Sequence, residues 1–299
     1  MTKDEITKSF KNISDCFVSI SYVTFNHEKF IKRALNSFIS QETDFKFEIL
    51  VTDDASTDGT VSILREYQSA YPEIIKVNFN SKNQFRINGQ PHQANFRIAN
   101  GSYIALCDGD DYWLDNHKLQ KQMNLMLKTN IDVSFHSVKI TNPFNHNSIV
   151  KSPSKNNKIY SVNEIIWYGH NLYTSVVSTV IKTEIAKKLP DFYKSAPTED
   201  HYLLIFGSLG KGALFISDCM GCYEFQSENS WHSNPNLSKH HMNNLKTFIQ
   251  LFKFLKNYSL KTKLIIILKN IKLFLKFLIL KSNLINKFIA RRNIKSLIS

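Results

Sequence analysis

Glycine and proline are scarce in this chain, at 9 and 7 of 299 residues, and cysteine occurs only four times. No glycine-rich phosphate loop is found, which excludes P-loop and kinase chemistry. Cys16, Cys107, Cys219 and Cys222 are too few and too scattered to form a disulfide scaffold. Cys219-Met220-Gly221-Cys222 has CxxC spacing, yet no second pair accompanies it for zinc, and its strand-like setting reads as buried thiols. The ten histidines include no HExxH arrangement. The opening residues, MTKDEITKSFKN, lack the apolar core of a signal peptide, so a reducing cytosol is the expected compartment. No run reaches the roughly 18 uncharged residues that span a bilayer.

Acid is missing from one end of the chain. The last acidic residue is Glu228, and of 38 Lys+Arg, 14 follow it, leaving 24 against all 25 Asp+Glu before it. The net charge of +13 therefore belongs to the tail, and the larger part of the chain is close to neutral. Nucleic acid is accordingly not an expected partner. With 42% hydrophobic and 21% charged residues the composition is that of a folded protein, long enough for one large α/β domain with an appendage.

Apolar periodicity alternates between strand and helix. Phe17 to Phe25 is a β-branched and aromatic run, and helical spacing follows from His27 to Ser40. Phe47 to Thr52 is a second strand, Thr60 to Tyr71 a second helix stopped by Pro72, and Ile74 to Phe79 a third strand. A polar loop spans Asn80 to Pro91, and a short helix ends at Gly101. Ser102 to Cys107 is a fourth strand, and Leu119 to Lys128 another helix. Asn142 to Lys158 reads as loop, and Val162 to Phe225 as mixed strand and helix completing the domain. Such alternation with short connections predicts βαβ units around a parallel sheet. Polar and acidic residues gather just after strand ends, at Thr24–Glu28, Asp53–Asp58 and Asp108–Asp111, on the edge where open α/β sheets bind ligands.

Three carboxylate groups carry candidate chemistry. Asp108-Gly109-Asp110-Asp111 follows a strand, and a turn at Gly109 can aim Asp108 and Asp110 at one region, as hard oxygen ligands for Mg²⁺ or Mn²⁺. On spacing alone the cluster is equally a solvated acidic turn. Asp53-Asp54 precedes Ser56-Thr57-Asp58-Gly59; Ser56 and Asp58 suit helix capping, while the two carboxylates at the strand end suit a ribose or a base N–H. Glu199-Asp200 opens an apolar helix, where a carboxylate serves either as a cap or as a general base.

The Val18–Asn26 strand and turn, the Asp53–Gly59 block and the run Gly101-Ser102-Tyr103-Ile104-Ala105-Leu106-Cys107-Asp108-Gly109-Asp110-Asp111-Tyr112-Trp113 occur in order. Together they closely resemble the bacterial family 2 glycosyltransferases over roughly residues 16 to 232. Lys118-Leu119-Gln120-Lys121-Gln122 resembles the branch found in capsule and lipopolysaccharide clusters. The resemblance implies an α/β GT-A fold, Rossmann-like, with a mostly parallel sheet and flanking helices, over residues 1–232, and a basic helical extension over 233–299. It implies nucleotide binding by Thr24, Phe25, Asn26, Glu28, Asp53, Asp54 and Asp108, and metal binding (Mn²⁺ or Mg²⁺) by Asp108 and Asp110. Asp200 then matches the catalytic base, preceded by Glu199, and Thr174-Ser175-Val176-Val177 the acceptor-side strand. Asp111 and Trp113 close the acidic motif as further candidates.

Departures are visible too. Val23 stands where the family's first turn usually has proline. Glu224 and Gln226 stand where arginine and then histidine are common, which makes His232 or a tail lysine the candidate to neutralise a departing diphosphate.

The activity so implied is inverting, metal-dependent transfer of a hexosyl or N-acetylhexosaminyl group. The donor would be a nucleotide-diphosphate sugar, a UDP-sugar, and the acceptor a saccharide or lipid-linked saccharide in cell-surface polysaccharide synthesis. A sugar-phosphate nucleotidyltransferase is the rival enzyme class; it would carry a Gly-rich, Lys/Arg-containing turn where this chain has Thr24-Phe25-Asn26-His27-Glu28. A non-catalytic, membrane-associated scaffold of the same fold is the second rival.

The tail from Lys246 to Ser299 mixes apolar runs with single lysines, and Lys269, Lys272, Lys276 and Lys287, with Asn283 between them, fall near one helical stripe. A basic amphipathic helix on an anionic membrane surface is one expectation, placing the protein in the cytoplasm, peripheral to the inner face of the membrane. A helical appendage with its lysines outward is the other.

Overall fold

The computed structural model describes residues 16–85, 92–141, 148–196, 198–224, 237–275 and 277–278. His232, Gln226, Lys276, Asn283 and Lys287 lie outside them. The chain divides into two compact units, residues 1–194 with 198–233, and residues 195–197 with 234–299.

The first unit is built on β1 (Cys16–Thr24), α1 (Ile31–Ile39), β2 (Lys46–Asp53), α2 (Thr60–Ala70), β3 (Ile75–Phe79), α3 (His92–Ile98) and β4 (Tyr103–Asp108). Strand β5 (Tyr112–Trp113), α4 (Lys118–Thr129), β6 (Val133–Thr141), β7 (Ser148–Lys151), β8 (Lys158–Tyr160) and α5 (Val162–Tyr168) follow. The unit closes with β9 (Val180–Lys182), α6 (Thr183–Lys187), α7 (Glu199–Ser208) and β10 (Ala213–Glu224). The sheet runs β3-β2-β1-β4-β9-β6-β10-β5, with β7 on β6 and β8 on β10. β1, β2, β3 and β4 are mutually parallel, as are β6 and β10, while β9 is antiparallel to both β4 and β6.

The central strands are apolar on both faces: Val18, Ile20, Tyr22, Ile49, Val51, Ile104 and Leu106 are all buried. That is the pattern of a parallel sheet covered on both sides. Helix α1 presents Ile31, Ala34, Leu35 and Phe38 at helical spacing to the core. Ser161 caps α5 in a reciprocal arrangement with Glu164.

Two sequence expectations require correction. The segment read as loop from Asn142 to Lys158 contains β7 and the start of β8, short strands that pair with β6 and β10 and leave Ile149, Val150 and Ile159 exposed. Thr174-Ser175-Val176-Val177 is not a strand. It leads into a single 3₁₀ turn, Val176–Ser178, because the Ser175 carbonyl accepts both the Ser178 N–H (3.0 Å) and the Ser178 hydroxyl (2.8 Å); β9 begins only at Val180.

Gly101 connects α3 to β4 where β1 passes alongside. A Cβ at this position would lie 2.5 Å from Ser19 N and 2.6 Å from Val18 C, backbone atoms of a central strand. Gly101→Ala is therefore expected to destabilise by about 3 kcal/mol, the upper part of the usual overpacking range. Differential scanning calorimetry should show a midpoint roughly 5–10 °C lower; an unchanged midpoint would mean that the strand yields without cost.

In the second unit, α8 (Leu237–Phe254) is followed by a helix over residues 260–275. Of the expected lysine stripe, Lys272 is exposed and Lys269 half-buried, and leucine and isoleucine make up much of the exposed surface beside them.

Candidate active site

Parallel pairing brings three separate sequence motifs to one sheet edge. In register, Thr24 lies beside Asp53 and Val23 beside Asp108, so β1, β2 and β4 end together. Their C-terminal turns then share one volume, the position at which α/β sheets bind ligands.

Much of the Thr24–Glu28 segment laces these turns to each other. Asn26 adopts a left-handed backbone, φ 56°, and its Oδ1 accepts the Thr57 N–H at 2.7 Å while its own N–H donates to Ser56 Oγ at 2.9 Å. Glu28 Oε2 accepts the Gly59 N–H at 2.7 Å. Thr24 Oγ1 is 3.1 Å from His27 Nδ1, which also accepts the Phe25 N–H at 3.3 Å. Asp54 anchors the next loop: Oδ1 accepts the Gln84 N–H (2.6 Å) and Asn80 Nδ2 (2.9 Å), and Oδ2 accepts the Phe85 N–H (2.9 Å). Asp53 is different. Its Oδ2 accepts the Ser56 N–H at 3.1 Å, but its buried Oδ1 has no hydrogen-bond partner among the described residues. Burial raises its pKa, with Asp54 and Asp58 adding to the rise.

The acidic turn is graded in exposure. The Asp108 side chain is 44% exposed, whereas Asp110 and Asp111 are buried. The Tyr22 hydroxyl holds the turn by donating to the Gly109 carbonyl at 2.8 Å. Asp111 Oδ1 accepts the Glu224 N–H at 2.9 Å, and Oδ2 is buried without a partner among the described residues. Burial pushes the Asp111 carboxyl well above the usual range, and Asp110 and Asp108 push it further. Trp113 is packed beneath the turn against Phe38, at 4.7 Å between ring centroids. The ammonium of Lys118, from the Lys118–Gln122 motif, lies 4.1 Å from the Trp113 ring centroid and donates to Gln122 Oε1 at 2.7 Å; burial lowers its pKa to about 7. Trp113 and Lys118 are thus supports of the turn.

Helix α7 delivers the other pair of carboxylates. Thr174 Oγ1 donates to Asp200 Oδ2 at 2.7 Å, and the Tyr193 hydroxyl donates to Glu199 Oε1 at 2.6 Å. Burial raises the Glu199 pKa to about 7; Asp108 and Asp200 contribute to the rise, and His92 and Tyr193 oppose it. Both sets of carboxylates act on one ring. Tyr223 has its pKa raised by burial and then by Asp111, Asp110, Asp108 and Asp200 in turn.

A raised carboxyl pKa has a defined consequence for stability. The folded state keeps a proton on Glu199 between about pH 4.3 and about pH 7 that the unfolded chain has lost. Its contribution is therefore complete below about pH 4.3 and fades as pH climbs to about 7. Wild type should lose roughly 3–4 kcal/mol of stability relative to Glu199→Gln across that window. Urea denaturation at several pH values measures it; a pH-independent difference would contradict the raised pKa.

Two residues that the motif reading passed over complete the site. His92, buried on α3, has Nδ1 2.7 Å from Ser21 Oγ and Nε2 3.1 Å from Asp108 Oδ1. Burial works to lower its pKa, but Glu199 and Asp108 prevail and the imidazolium is favoured. Arg33, from α1, donates through Nη2 to Glu224 Oε1 at 2.7 Å, and its guanidinium lies 3.8 Å from the Tyr112 ring centroid. The carboxylate of Glu224, standing where arginine was expected, is thereby neutralised, and a guanidinium reaches this place from another element. Polar residues at helical spacing carried no sign of either role, since both depend on packing across the sheet.

The carboxylates suit a hard divalent cation. Asp110 and Asp108 disfavour the ionisation of buried Asp111, a strain that a cation relieves. Among the described residues no group of three or more His, Cys, Asp or Glu side chains is arranged to hold a metal. A magnesium-like ion needs no such cage, since one or two carboxylates, water and substrate phosphates suffice.

Comparison with known proteins agrees with this architecture. Residues 19–189 match the family model described as Glycosyl transferase family 2. An uncharacterized protein of Mycobacterium tuberculosis is 29% identical over 225 residues, 72% of this chain and 61% of the relative, so the chain spans about three fifths of that protein's length. An Escherichia coli UDP-Glc:alpha-D-GlcNAc-diphosphoundecaprenol beta-1,3-glucosyltransferase is 33% identical over 138 residues, 46% of this chain and 51% of the relative. Residues 1–349 of TarS from S. aureus, solved in complex with UDP-GlcNAc, superpose with a TM-score of 0.63 at 21% identity, covering 88% of this chain and 71% of that one. At that identity the likeness speaks for the fold. The ordered strand-end motifs, the GT-A sheet and the family match over more than half of its length together show that this chain belongs to glycosyl transferase family 2.

Proposed function

We propose that this chain is an inverting, metal-dependent glycosyltransferase of cell-surface polysaccharide synthesis. It would move a hexosyl or N-acetylhexosaminyl group from a UDP-sugar to a saccharide or lipid-linked saccharide acceptor. The observation that carries this reading is the convergence of the strand-end motifs at one sheet edge, where Thr24 pairs with Asp53 and Val23 with Asp108, with the acidic turn and Asp200 both acting electrostatically on Tyr223. A site that holds a diphosphate through a cation and activates a hydroxyl needs those two carboxylate groups close together. The UDP-glucose donor and diphosphoundecaprenol-linked acceptor of the E. coli relative, and the UDP-GlcNAc bound to TarS, support a UDP-sugar donor and a lipid-linked acceptor.

Asp108 and Asp110 would hold Mn²⁺ or Mg²⁺, which supplies charge stabilisation for the departing nucleoside diphosphate. His92 fixes the Asp108 carboxylate through its Nε2. Asp53, with an unpartnered oxygen at the edge, is the better of the two adjacent carboxylates for a ribose or base donor, since both oxygens of Asp54 already anchor the 80–85 loop. Asp200, oriented by Thr174, takes the proton from the acceptor hydroxyl as its oxygen attacks the anomeric carbon. One displacement inverts that carbon. Glu199, half-protonated near neutrality and held by Tyr193, keeps a second full negative charge away from Asp200. Residues 1–232 would form the catalytic domain. Residues 233–299 would form a basic helical tail that keeps the enzyme at the cytoplasmic membrane face.

A donor screen tests the reading. Purified protein with Mn²⁺ and a panel of nucleotide sugars should release UDP from at least one UDP-sugar when a saccharide acceptor is supplied. Release of pyrophosphate from a sugar phosphate and a nucleoside triphosphate would instead identify a nucleotidyltransferase, and no turnover with any donor would favour a scaffold.

A further inference from the structure

The second unit exposes an apolar surface whose surroundings define its partner. Residues 260–275 and 277–278 are helical. Along them Leu260, Leu264, Ile267, Ile271, Phe274 and Leu278 recur at alternating steps of four and three, the spacing of a single stripe on a helix. Each is between 41% and 73% exposed. Thr262, Ile266 and Leu273 are buried, and at about 100° per residue they lie roughly 160–200° around the helix from Leu264. The helix is therefore apolar on two opposite faces, and only one of them is covered. Contiguous apolar surface of this kind marks a binding face.

The charges beside the stripe decide between occupants. Lys261 and Lys272 lie about 60–80° to one side of Leu264, and Lys263 about 100° to the other, so lysines border both flanks. No Asp or Glu follows Glu228. A second copy seated on this stripe would set these lysines against their own equivalents with no acid between them. An anionic lipid surface satisfies both features at once, since acyl chains accept the stripe and lipid phosphates accept the ammonium groups. Among the described residues no helix is long and apolar enough to cross a membrane.

We propose that the helix from residue 260 lies in the plane of an anionic membrane. Its Leu260–Leu278 stripe sits at the acyl boundary, with Lys261, Lys263 and Lys272 among the phosphates. This deepens the membrane-surface part of the proposed function, but does not depend on sugar transfer.

Flotation of the full chain with lipid vesicles tests it. Phosphatidylcholine–phosphatidylglycerol vesicles should bind about tenfold or more tightly than phosphatidylcholine alone, and the preference should fall with salt. Leu264→Ser with Ile271→Ser should weaken binding to both by about tenfold. Lys261→Gln, Lys263→Gln and Lys272→Gln together should erase only the anionic preference. Vesicle binding unaffected by the leucine and isoleucine changes would overturn the proposal. So would a concentration-dependent dimer, seen by sedimentation, that those changes abolish; the covering partner would then be a second copy. UDP release in the donor screen is a separate readout, so failure of either claim leaves the other distinguishable.

Discussion

Replacing Asp200 with Asn is expected to slow sugar transfer by about 10³-fold while leaving donor affinity within about twofold. The substitution keeps the shape of the side chain and an oxygen for the Thr174 hydroxyl, 2.7 Å away. It removes the one thing the mechanism asks of this residue, an anionic oxygen that can take a proton. In the proposed mechanism, donor binding rests on the strand-end turns and the acidic cluster, none of which uses Asp200. Single-turnover kinetics together with calorimetric titration of UDP-sugar would separate the two effects. Turnover within tenfold of wild type would move the base to another group, and Glu199 would be the first alternative. Its pKa of about 7 is well matched to proton transfer near neutrality.

Asp110→Asn is expected to act on the other half of the reaction, lowering kcat/KM by roughly 10²–10⁴-fold. Asp110 is buried beside Asp111, whose own pKa is raised by burial and by its carboxylate neighbours. Removing one charge relieves that repulsion, so the apo protein should be as stable as wild type or slightly more so. The metal-linked component should disappear. In wild type, Mn²⁺ should tighten UDP binding and raise the thermal midpoint in its presence; in Asp110→Asn, Mn²⁺ and EDTA should give the same UDP affinity. A retained Mn²⁺ effect would show that the ion is held without Asp110. The two variants thus fail in opposite ways, one binding without turning over, the other losing the grip on the leaving group.

How much of this was legible in the chain itself can be judged residue by residue. Strand β1 could be read because Val18, Ile20, Tyr22, Val23 and Thr24, β-branched or aromatic, dominate the run, while the Ser19 and Ser21 between them are small enough to be buried on the other face. Helix α1 could be read because its apolar residues fall on one face. Strands β7 and β8 could not: they are only four and three residues long and mostly exposed, and their place in the sheet comes from pairing with β6 and β10. The 3₁₀ turn at Val176–Ser178 was hidden because β-branched residues suggest a strand, whereas side-chain and backbone bonds to the Ser175 carbonyl curl the chain instead.

At the site, the acidic residues were visible in order, but their division of labour was not. Asp53 and Asp54 are adjacent and chemically identical; only the fold gives one of them three hydrogen bonds to the 80–85 loop and leaves the other with an unpartnered oxygen. Glu199 and Asp200 are likewise neighbours, yet burial raises one to about 7 while the other is turned toward Thr174. Sequence alone determined the alternation of strand and helix, the acidic strand ends and the confinement of positive charge to the tail, because each is written in local composition and period. The tertiary structure decided which carboxylates are paired and which are open, that His92 holds Asp108, that Arg33 answers Glu224, and that the tail helix exposes leucine and isoleucine between flanking lysines. Those outcomes depend on burial and on partners far apart in the chain, and a carboxylate's chemistry is set by its surroundings rather than by its place in the sequence.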